Sequence, residues 1–312
     1  MVRIIGMLLA ALLSFSSVDA VDPPLTSISF APDGNSVVAC SQAGLQVFRW
    51  PGLGLEKRVE LHADNVHDLV FSADGSRLAI AGGEPGESGS IEILNWPQCE
   101  MIQRLHGHSD CVIKLQWLAE NRLASASLDH QVCIWNLETK RVEQTLAGHS
   151  GGVCALSLLP EEKLLVSGGL DNSLRVWDLQ SGELTRSLTI HTRAVTSLAV
   201  RPIADELPMI ASASRDQSVR LWQPTIGRMV RFARLESIPL DIAWTTDGSA
   251  ILASCEDGSL VQIDAQTVTT GEPLKVLDGP AYCLTLHRRG LPVILAGESG
   301  LIRRVAAVPS PD

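Results

Sequence analysis

The chain has 312 residues, of which 45% are hydrophobic and 19% are charged, so it can bury a large core and is not intrinsically disordered. Its formal net charge of −10 disfavours binding to nucleic acids and to anionic membranes, because both depend on positive charge. We therefore expect a folded protein whose partners are proteins, with no nucleic-acid partner.

The first twenty residues have the layout of a secretory signal peptide. Arg3 supplies a positive charge, Ile4 to Leu13 form an apolar run, and a polar segment then leads to Ala20. The apolar run is too short to span a bilayer as a helix. We predict a signal peptide at 1–20 and an extracytoplasmic, periplasmic or secreted mature chain that does not insert into the membrane after cleavage. The alternative is a buried N-terminal segment of a cytoplasmic protein.

The seven cysteines are scattered and odd in number, so they do not form a disulfide framework. Most fall in strand-like runs, where a free cysteine behaves as a small buried hydrophobe. No CxxC motif is present, which argues against zinc-ribbon, thioredoxin-like and c-type haem sites. The sequence predicts no cofactor.

Seven segments carry two large apolar residues separated by one position, a pattern typical of a strand with one buried face. The first members of successive pairs lie 41 to 46 residues apart, which is the spacing of β-propeller blades. The pairs are Ile28/Phe30, Leu69/Phe71, Leu115/Trp117, Leu156/Leu158, Leu198/Val200, Ile242/Trp244 and Leu284/Leu286.

Each of the seven units has the same order of elements. A turn such as Pro32-Asp33-Gly34 follows the first strand, and a second strand of small and branched residues comes next. A third strand ends in Trp or a substitute, and a fourth run leads to the next unit. The sequence predicts an all-β fold, a single seven-bladed propeller over residues 21–312.

Units three to five resemble WD40 repeats. Gly107-His108 and Gly148-His149 match the Gly-His dipeptide of that family, and Trp177-Asp178 matches the Trp-Asp pair that names it. We identify the chain as a suspected member of the WD40-repeat β-propeller family, of a bacterial type that is secreted.

The resemblance implies a hydrogen-bonded tetrad of His, Ser, Asp and Trp in each complete unit. Such buried groups satisfy one another only as a connected network. The implied tetrads are His108, Ser125, Asp129, Trp135; His149, Ser167, Asp171, Trp177; and His191, Ser212, Asp216, Trp222.

The other units depart from the family pattern. Asp64 occupies the position expected for the His of unit two, and Ile263 replaces the Trp of unit six. We expect these blades to rely on apolar packing and to open more readily.

The sequence leaves three ways in which the ring could close. The last blade has three strands, or Val21 to Leu25 supply a fourth strand, or the leader is retained as that strand. The leader lacks the alternation of a strand, which disfavours the third solution.

Two constellations invite a chemical interpretation. The repeated Asp, His and Ser suggest a catalytic triad, but their fixed recurrence with a Trp favours structural bracing, and no catalytic residue is predicted. His106 and His108 are spaced like metal ligands on a strand, but no Cys or carboxylate cluster joins them, so no metal is predicted.

Two loops are longer than the rest, Glu84 to Ser88 in unit two and Arg201 to Pro208 in unit five. Family topology places them on opposite faces, so they cannot form one site. Each is either a tolerated insertion or a binding loop.

The residue before each tetrad Asp lies on the face that this family uses for partner contacts. Here these residues are Leu128, Leu170 and Arg215, a combination typical of a protein-binding hot spot, although isolated surface leucines are the alternative.

We predict a monomeric, non-enzymatic protein-interaction scaffold exported from the cytoplasm. A propeller hydrolase or lyase and an intracellular WD40 adaptor are the alternatives.

Overall fold

The computed structural model describes residues 22–310 except 160, 162, 204–206 and 288–289. The predicted signal peptide therefore lies outside the described residues, as does the middle of the unit-five loop. None of the described residues forms a helix long and apolar enough to cross a membrane.

The described chain folds into seven antiparallel sheets, six of four strands and one of three. Strands within each sheet follow chain order from the inside of the ring outward. Blade 1 contains β1 (Ser27–Phe30), β2 (Ser36–Ser41), β3 (Gly44–Arg49) and β4 (Gly54–Val59); blade 2 contains β5 (Asp68–Phe71), β6 (Arg77–Glu84), β7 (Ser88–Asn95) and β8 (Met101–His108); blade 3 contains β9 (Val112–Ala119), β10 (Arg122–Ser127), β11 (Gln131–Asn136) and β12 (Arg141–Ala147).

Blades 4 to 6 repeat this plan, and blade 7 lacks the outermost strand. Blade 4 contains β13 (Val153–Leu159), β14 (Leu164–Gly169), β15 (Leu174–Asp178) and β16 (Leu184–Leu188); blade 5 contains β17 (Val195–Val200), β18 (Ile210–Ser214), β19 (Ser218–Gln223) and β20 (Arg228–Arg234); blade 6 contains β21 (Pro239–Trp244), β22 (Ala250–Cys255), β23 (Ser259–Asp264) and β24 (Leu274–Lys275); blade 7 contains β25 (Cys283–His287), β26 (Gly290–Ala296), a 3₁₀ turn (Glu298–Gly300) and β27 (Ile302–Val305).

The seven apolar pairs all lie on the innermost strands, as the sequence predicts. Each innermost strand packs against the innermost strand of the next blade, and β25 packs against β1 to close the ring. Because side chains alternate along a strand, the first member of each pair is buried between blades. The prediction of an all-β, seven-bladed propeller is confirmed.

The turns after the innermost strands explain the repeated Asp-Gly dipeptides. Gly75 has φ +72, which glycine adopts without the strain that a side chain would add. The Asp74 carboxylate accepts hydrogen bonds from the Ser72 hydroxyl at 2.6 Å and from the Ser76 amide at 3.1 Å. The dipeptide therefore fixes a tight turn.

The last blade has three strands, which confirms one of the three expected solutions. The segment 22–25 forms no strand with β27. Instead, the Leu25 amide donates to the Gly297 carbonyl at 3.0 Å, and Asp22 lies against Gly300. The alternative in which this segment supplies a fourth strand is therefore wrong for its described part, because residues 22–25 run past the loop between β26 and β27 rather than along the outer edge.

Candidate functional site

The structure brings the four predicted residues of blade 3 into one hydrogen-bonded chain. The Trp135 Nε1–H donates to the Ser125 Oγ at 2.7 Å, and His108 Nε2 lies 2.7 Å from the same Oγ. His108 Nδ1 lies 2.7 Å from Asp129 Oδ2. Asp129 also accepts the Ser109 amide at 3.1 Å, so the set ties the incoming loop to the turn between β10 and β11.

Blade 4 repeats this geometry. Trp177 Nε1 donates to Ser167 Oγ at 2.8 Å, His149 Nε2 lies 2.8 Å from that oxygen, and His149 Nδ1 lies 2.9 Å from Asp171 Oδ2. Because each polar group of the set is bonded to another member, burial leaves none of them unsatisfied.

Blade 5 has the same chain of contacts. Trp222 Nε1 donates to Ser212 Oγ at 2.8 Å, and His191 lies 2.7 Å from Ser212 Oγ and 2.8 Å from Asp216 Oδ2. The hydroxyl and both ring nitrogens are engaged, and the imidazole is shielded from solvent. This arrangement suits structural bracing better than nucleophilic attack on an external substrate.

The three tetrads differ in the residue two positions before the Trp. Blade 3 has Cys133 there, with its sulfur 4.0 Å from His108 Nδ1. Burial opposes the charge on His108, but the hydrogen bond to Asp129 and the contact with Cys133 outweigh it and raise the pKa of His108 to about 9. Ser125 lies 3.5 Å from the Cys133 carbonyl and can donate there when His108 is protonated at both nitrogens.

Blades 4 and 5 have arginines at the equivalent position. Arg175 lies 3.9 Å from Asp171, and Arg220 lies 3.5 Å from Asp216. Burial lowers the pKa of His149 and of His191, and the nearby guanidinium groups lower it further, against the opposing effect of the aspartates. The imidazoles of these two blades are therefore neutral at pH 7.

These directions give an expected result for the histidines. NMR of ring-labelled protein will show His108 losing its proton near pH 9, whereas His149 and His191 stay neutral down to below 6.5. Because the pKa of folded His108 is raised, its stabilising contribution is complete below pH 6.5 and lost as the pH rises towards 9. The contributions of His149 and His191 are present above 6.5 and lost on acidification. The ring signal that disappears in His108→Gln is that of His108. Identical titration curves for the three histidines would contradict the opposite pKa directions.

Blade 2 corrects one expectation. Each tetrad His stands seven residues before the first apolar residue of its blade, and in blade 2 that position is His62 rather than Asp64. Asp64 is exposed, and its backbone carbonyl accepts the Gly83 amide. The His62 amide donates to Glu92 at 3.3 Å, and Arg104 lies 3.7 Å from the same carboxylate, which is only 1% exposed. Blade 2 therefore has a buried ionic contact in place of the tetrad, in addition to apolar packing.

Blades 6 and 7 have apolar residues at the His, Ser and Trp positions of the tetrad, although blade 6 keeps an Asp, Asp257, at the fourth position. In blade 6 these are Leu235, Ala253 and Ile263, which lie in one buried cluster. In blade 7, Leu277, Leu295 and Val305 occupy another. Bracing by hydrogen-bonded side chains is thus replaced by packing in these blades, in line with the sequence-based expectation.

A pair of carboxylates lies inside the central channel, at positions that no sequence pattern marks. Asp68 accepts hydrogen bonds from the Ser27 hydroxyl, the Lys114 ammonium and the Leu115 amide, each at 2.9 Å. Burial opposes the charge on Lys114, but Asp68 and Asp241 raise its pKa well above the ordinary value. Asp68 therefore joins blade 1 to blades 2 and 3.

Asp241 makes the equivalent connection on the far side of the ring. It accepts the Ser197 hydroxyl at 2.7 Å and the Leu284 amide at 3.0 Å, so it joins blades 5, 6 and 7. Both carboxylates stand just before the apolar pair of their blade. Their oxygens already bond to the chain, so they act as inter-blade links rather than as free acids or bases.

The predicted contact residues lie on one face, at the mouth of the channel. The loop that enters each blade and the turn after its second strand meet there, because the first two strands are antiparallel. Leu170 is 49% exposed, and it lines a cavity of about 580 Å³ together with Arg215. Leu128 is half-buried and packs over Gly152 beside Leu170. Arg215 forms an ion pair with Glu256 at 3.7 Å.

The remaining sequence candidates lie apart. His106 is exposed, whereas His108 is buried with both ring nitrogens engaged, so the two do not converge on one point. The described residues contain no group of three His, Cys, Asp or Glu side chains placed to hold a metal ion. The Glu84–Ser88 loop contacts the loop that enters blade 3, because the Gly86 amide donates to the Asp110 carboxylate at 2.8 Å. Arg201, at the start of the unit-five loop, donates to the Gly248 carbonyl at 2.9 Å on the opposite face.

Fold and site together define a β-propeller whose blades 3, 4 and 5 are braced by buried tetrads. The family model "WD domain, G-beta repeat" matches residues 99–136, 140–178 and 182–223. Each of these three segments contains one complete tetrad, from its His to its Trp. These three segments, which together make up less than half of the chain, are therefore similar to WD40 repeats.

Less than half of this chain is similar in sequence to parts of two much longer curated proteins. The chain is 30% identical over 139 residues to apoptotic protease-activating factor 1 of Rattus norvegicus, which covers 44% of this chain and 10% of that protein. It is 29% identical over 139 residues to WD repeat and HMG-box DNA-binding protein 1 of Xenopus laevis, covering 42% of this chain and 12% of that protein. The match thus spans about a tenth of each relative. These relatives do not support the expected bacterial, secreted type.

Proposed function

We propose that this protein is a non-enzymatic scaffold that binds a protein partner on the channel-mouth face, with Leu128, Leu170 and Arg215 among the contacts. The observation that carries the proposal is the half-exposed Leu170 beside Arg215 at a cavity of about 580 Å³. Arginine is enriched among interface hot spots, and the buried core of an interface is apolar. WD40 repeats suggest the same kind of role.

The bracing beneath these residues supports the proposal. The amides of Leu128, Leu170 and Arg215 each donate to the loop that enters the blade, at 3.0, 2.8 and 2.9 Å. The next residue in each blade is the tetrad Asp, which the buried His holds in place. A contact residue fixed in this way loses little conformational freedom when a partner binds.

A binding comparison tests the docking face. A variant with Leu128→Ala, Leu170→Ala and Arg215→Ala will retain its partner about tenfold less well or worse than the unaltered protein, since hot-spot side chains dominate interface energy. The matched control removes two exposed leucines and one arginine from outer strands, as Leu55→Ala, Leu184→Ala and Arg228→Ala. Equal retention by both variants and the unaltered protein would rule out this face.

We also propose that the chain acts outside the cytoplasm. The support is the leader pattern at 1–20: a positive start, an apolar run and a small residue at Ala20. N-terminal sequencing of the protein purified from its source will begin at Val21. An intact leader would instead favour the intracellular adaptor alternative.

A further inference from the structure

The channel-mouth face divides into two parts by charge. The mouth loops of blades 6, 7, 1 and 2 contain nine acidic residues and no lysine or arginine, and a tenth, Glu84, stands beside them at the end of β6. We call these ten the acidic arc: Asp22, Glu60, Asp64, Glu84, Glu87, Glu236, Glu256, Asp257, Asp278 and Glu298. The mouth loops of blades 3 to 5 instead contain two arginines, Arg193 and Arg215, beside Leu128 and Leu170, and their four acidic residues are Asp110 and the three tetrad aspartates.

The charge of the acidic arc is only partly compensated. Hydrogen bonding with Glu87 and the charges of Glu87 and Asp64 raise the pKa of Glu84, so these three groups repel one another. Three cations reach the arc from outside it: Arg58 lies 3.6 Å from Asp22, Arg215 lies 3.7 Å from Glu256, and the Lys275 ammonium donates to the Asp257 backbone carbonyl.

An apolar cavity opens beside the arc. Its wall includes Ile113, Leu170 and Leu240, together with Tyr282, whose hydroxyl donates to Glu298 at 3.0 Å. The Nε2 atom of His67 is buried in this wall and has no hydrogen-bond partner among the described residues. The cavity thus combines an apolar surface with an unused polar atom and an acidic rim.

The space below the cavity is also negative. A second cavity of about 250 Å³ shares His67, Leu240 and Tyr282 with the first and is lined by Asp68, Asp241 and Lys114. Lys114 balances one of the two carboxylates, so a cation approaching the mouth meets negative charge both at the rim and beneath it.

We propose that the partner presents a basic segment to this face, with lysine or arginine side chains on the acidic arc and an apolar side chain in the cavity. This inference rests on the proposed function and specifies the chemistry of the partner. Complementary charge speeds association and rejects partners of the wrong sign, so acidic segments are excluded by repulsion.

Selection of short random peptides, displayed on phage, against the immobilised full chain tests the proposal. The selected peptides will be enriched in lysine and arginine and will contain an apolar residue. Their affinity for a Glu256→Gln/Glu298→Gln variant will fall about fivefold, as expected for losing exposed charge pairs, and about 0.5 M salt will weaken binding to the unaltered chain similarly. The control, Glu138→Gln/Glu183→Gln, removes the same charge from the opposite face and will bind normally.

The outcomes separate this inference from the proposed function. Neutral or acidic peptides that require Leu170 would overturn the basic partner and leave the docking face standing. Basic peptides that bind both glutamine variants equally would also overturn it, as would a selection that enriches nothing. Peptides that bind Leu170→Ala and the Glu256/Glu298 variant as tightly as the unaltered chain would count against the docking face itself.

Discussion

Ser167→Ala will lower the free energy of unfolding by roughly 2–5 kcal/mol, because two buried polar groups lose their common partner. Ser167 Oγ accepts the indole N–H of Trp177 and contacts His149 Nε2, and no water can reach the fully buried hydroxyl. The expected loss is larger than that of a typical surface substitution, which stays within about 0.5 kcal/mol. Urea unfolding followed by tryptophan fluorescence measures it.

Ser157→Ala is the matched control for this result. Ser157 lies on β13 of the same blade and is nearly buried, but its hydroxyl forms no hydrogen bond within the described part of the chain. Its removal will cost less than about 1 kcal/mol. Equal effects of the two substitutions would mean that the tetrad does not brace blade 4.

Asp68→Ala will destabilise the protein by roughly 1–3 kcal/mol, because it leaves the buried Leu115 amide without an acceptor and the partly exposed Lys114 without its ion-pair partner. Chemical unfolding measures the loss. The effect will exceed that of breaking the exposed pair of Arg49 and Glu56, where Glu56→Ala will cost about 1 kcal/mol or less.

A double substitution separates the ion pair from the rest of this effect. Asp68→Asn/Lys114→Met removes both charges, so its cost will be smaller than the sum of the costs of the two single substitutions. Additive costs would show that the Asp68–Lys114 ion pair contributes nothing to stability, and that Asp68 links the blades only through Ser27 and the Leu115 amide.

The ring could be predicted because its determinants repeat along the chain. The apolar pairs, the Asp-Gly turns and the fixed spacing from Ser to Trp each recur, so one copy supports another. Counting back from Ile28 gave the three-stranded last blade as one of three solutions, since a fourth strand there would fall within the predicted leader.

The residues that sequence analysis missed lack such repetition. Asp68 and Asp241 occupy a position filled elsewhere by Ser27, Lys114 or Ala155, so no pattern marks them. Their role exists only after the ring brings neighbouring innermost strands together. His62 could have been found by counting seven residues back from Leu69, but the expected Gly-His dipeptide is absent in blade 2, and its buried partner Glu92 lies 30 residues away.

The central claim is that buried tetrads hold the contact residues rigidly at the channel mouth. Amide hydrogen exchange at single-residue resolution tests it most directly. The amides of Leu128, Leu170 and Arg215 will exchange slowly, and in Ser167→Ala that of Leu170 will become fast while those of Leu128 and Arg215 change little. Fast exchange at all three amides in the unaltered protein, or no change at Leu170 in the variant, would contradict the claim.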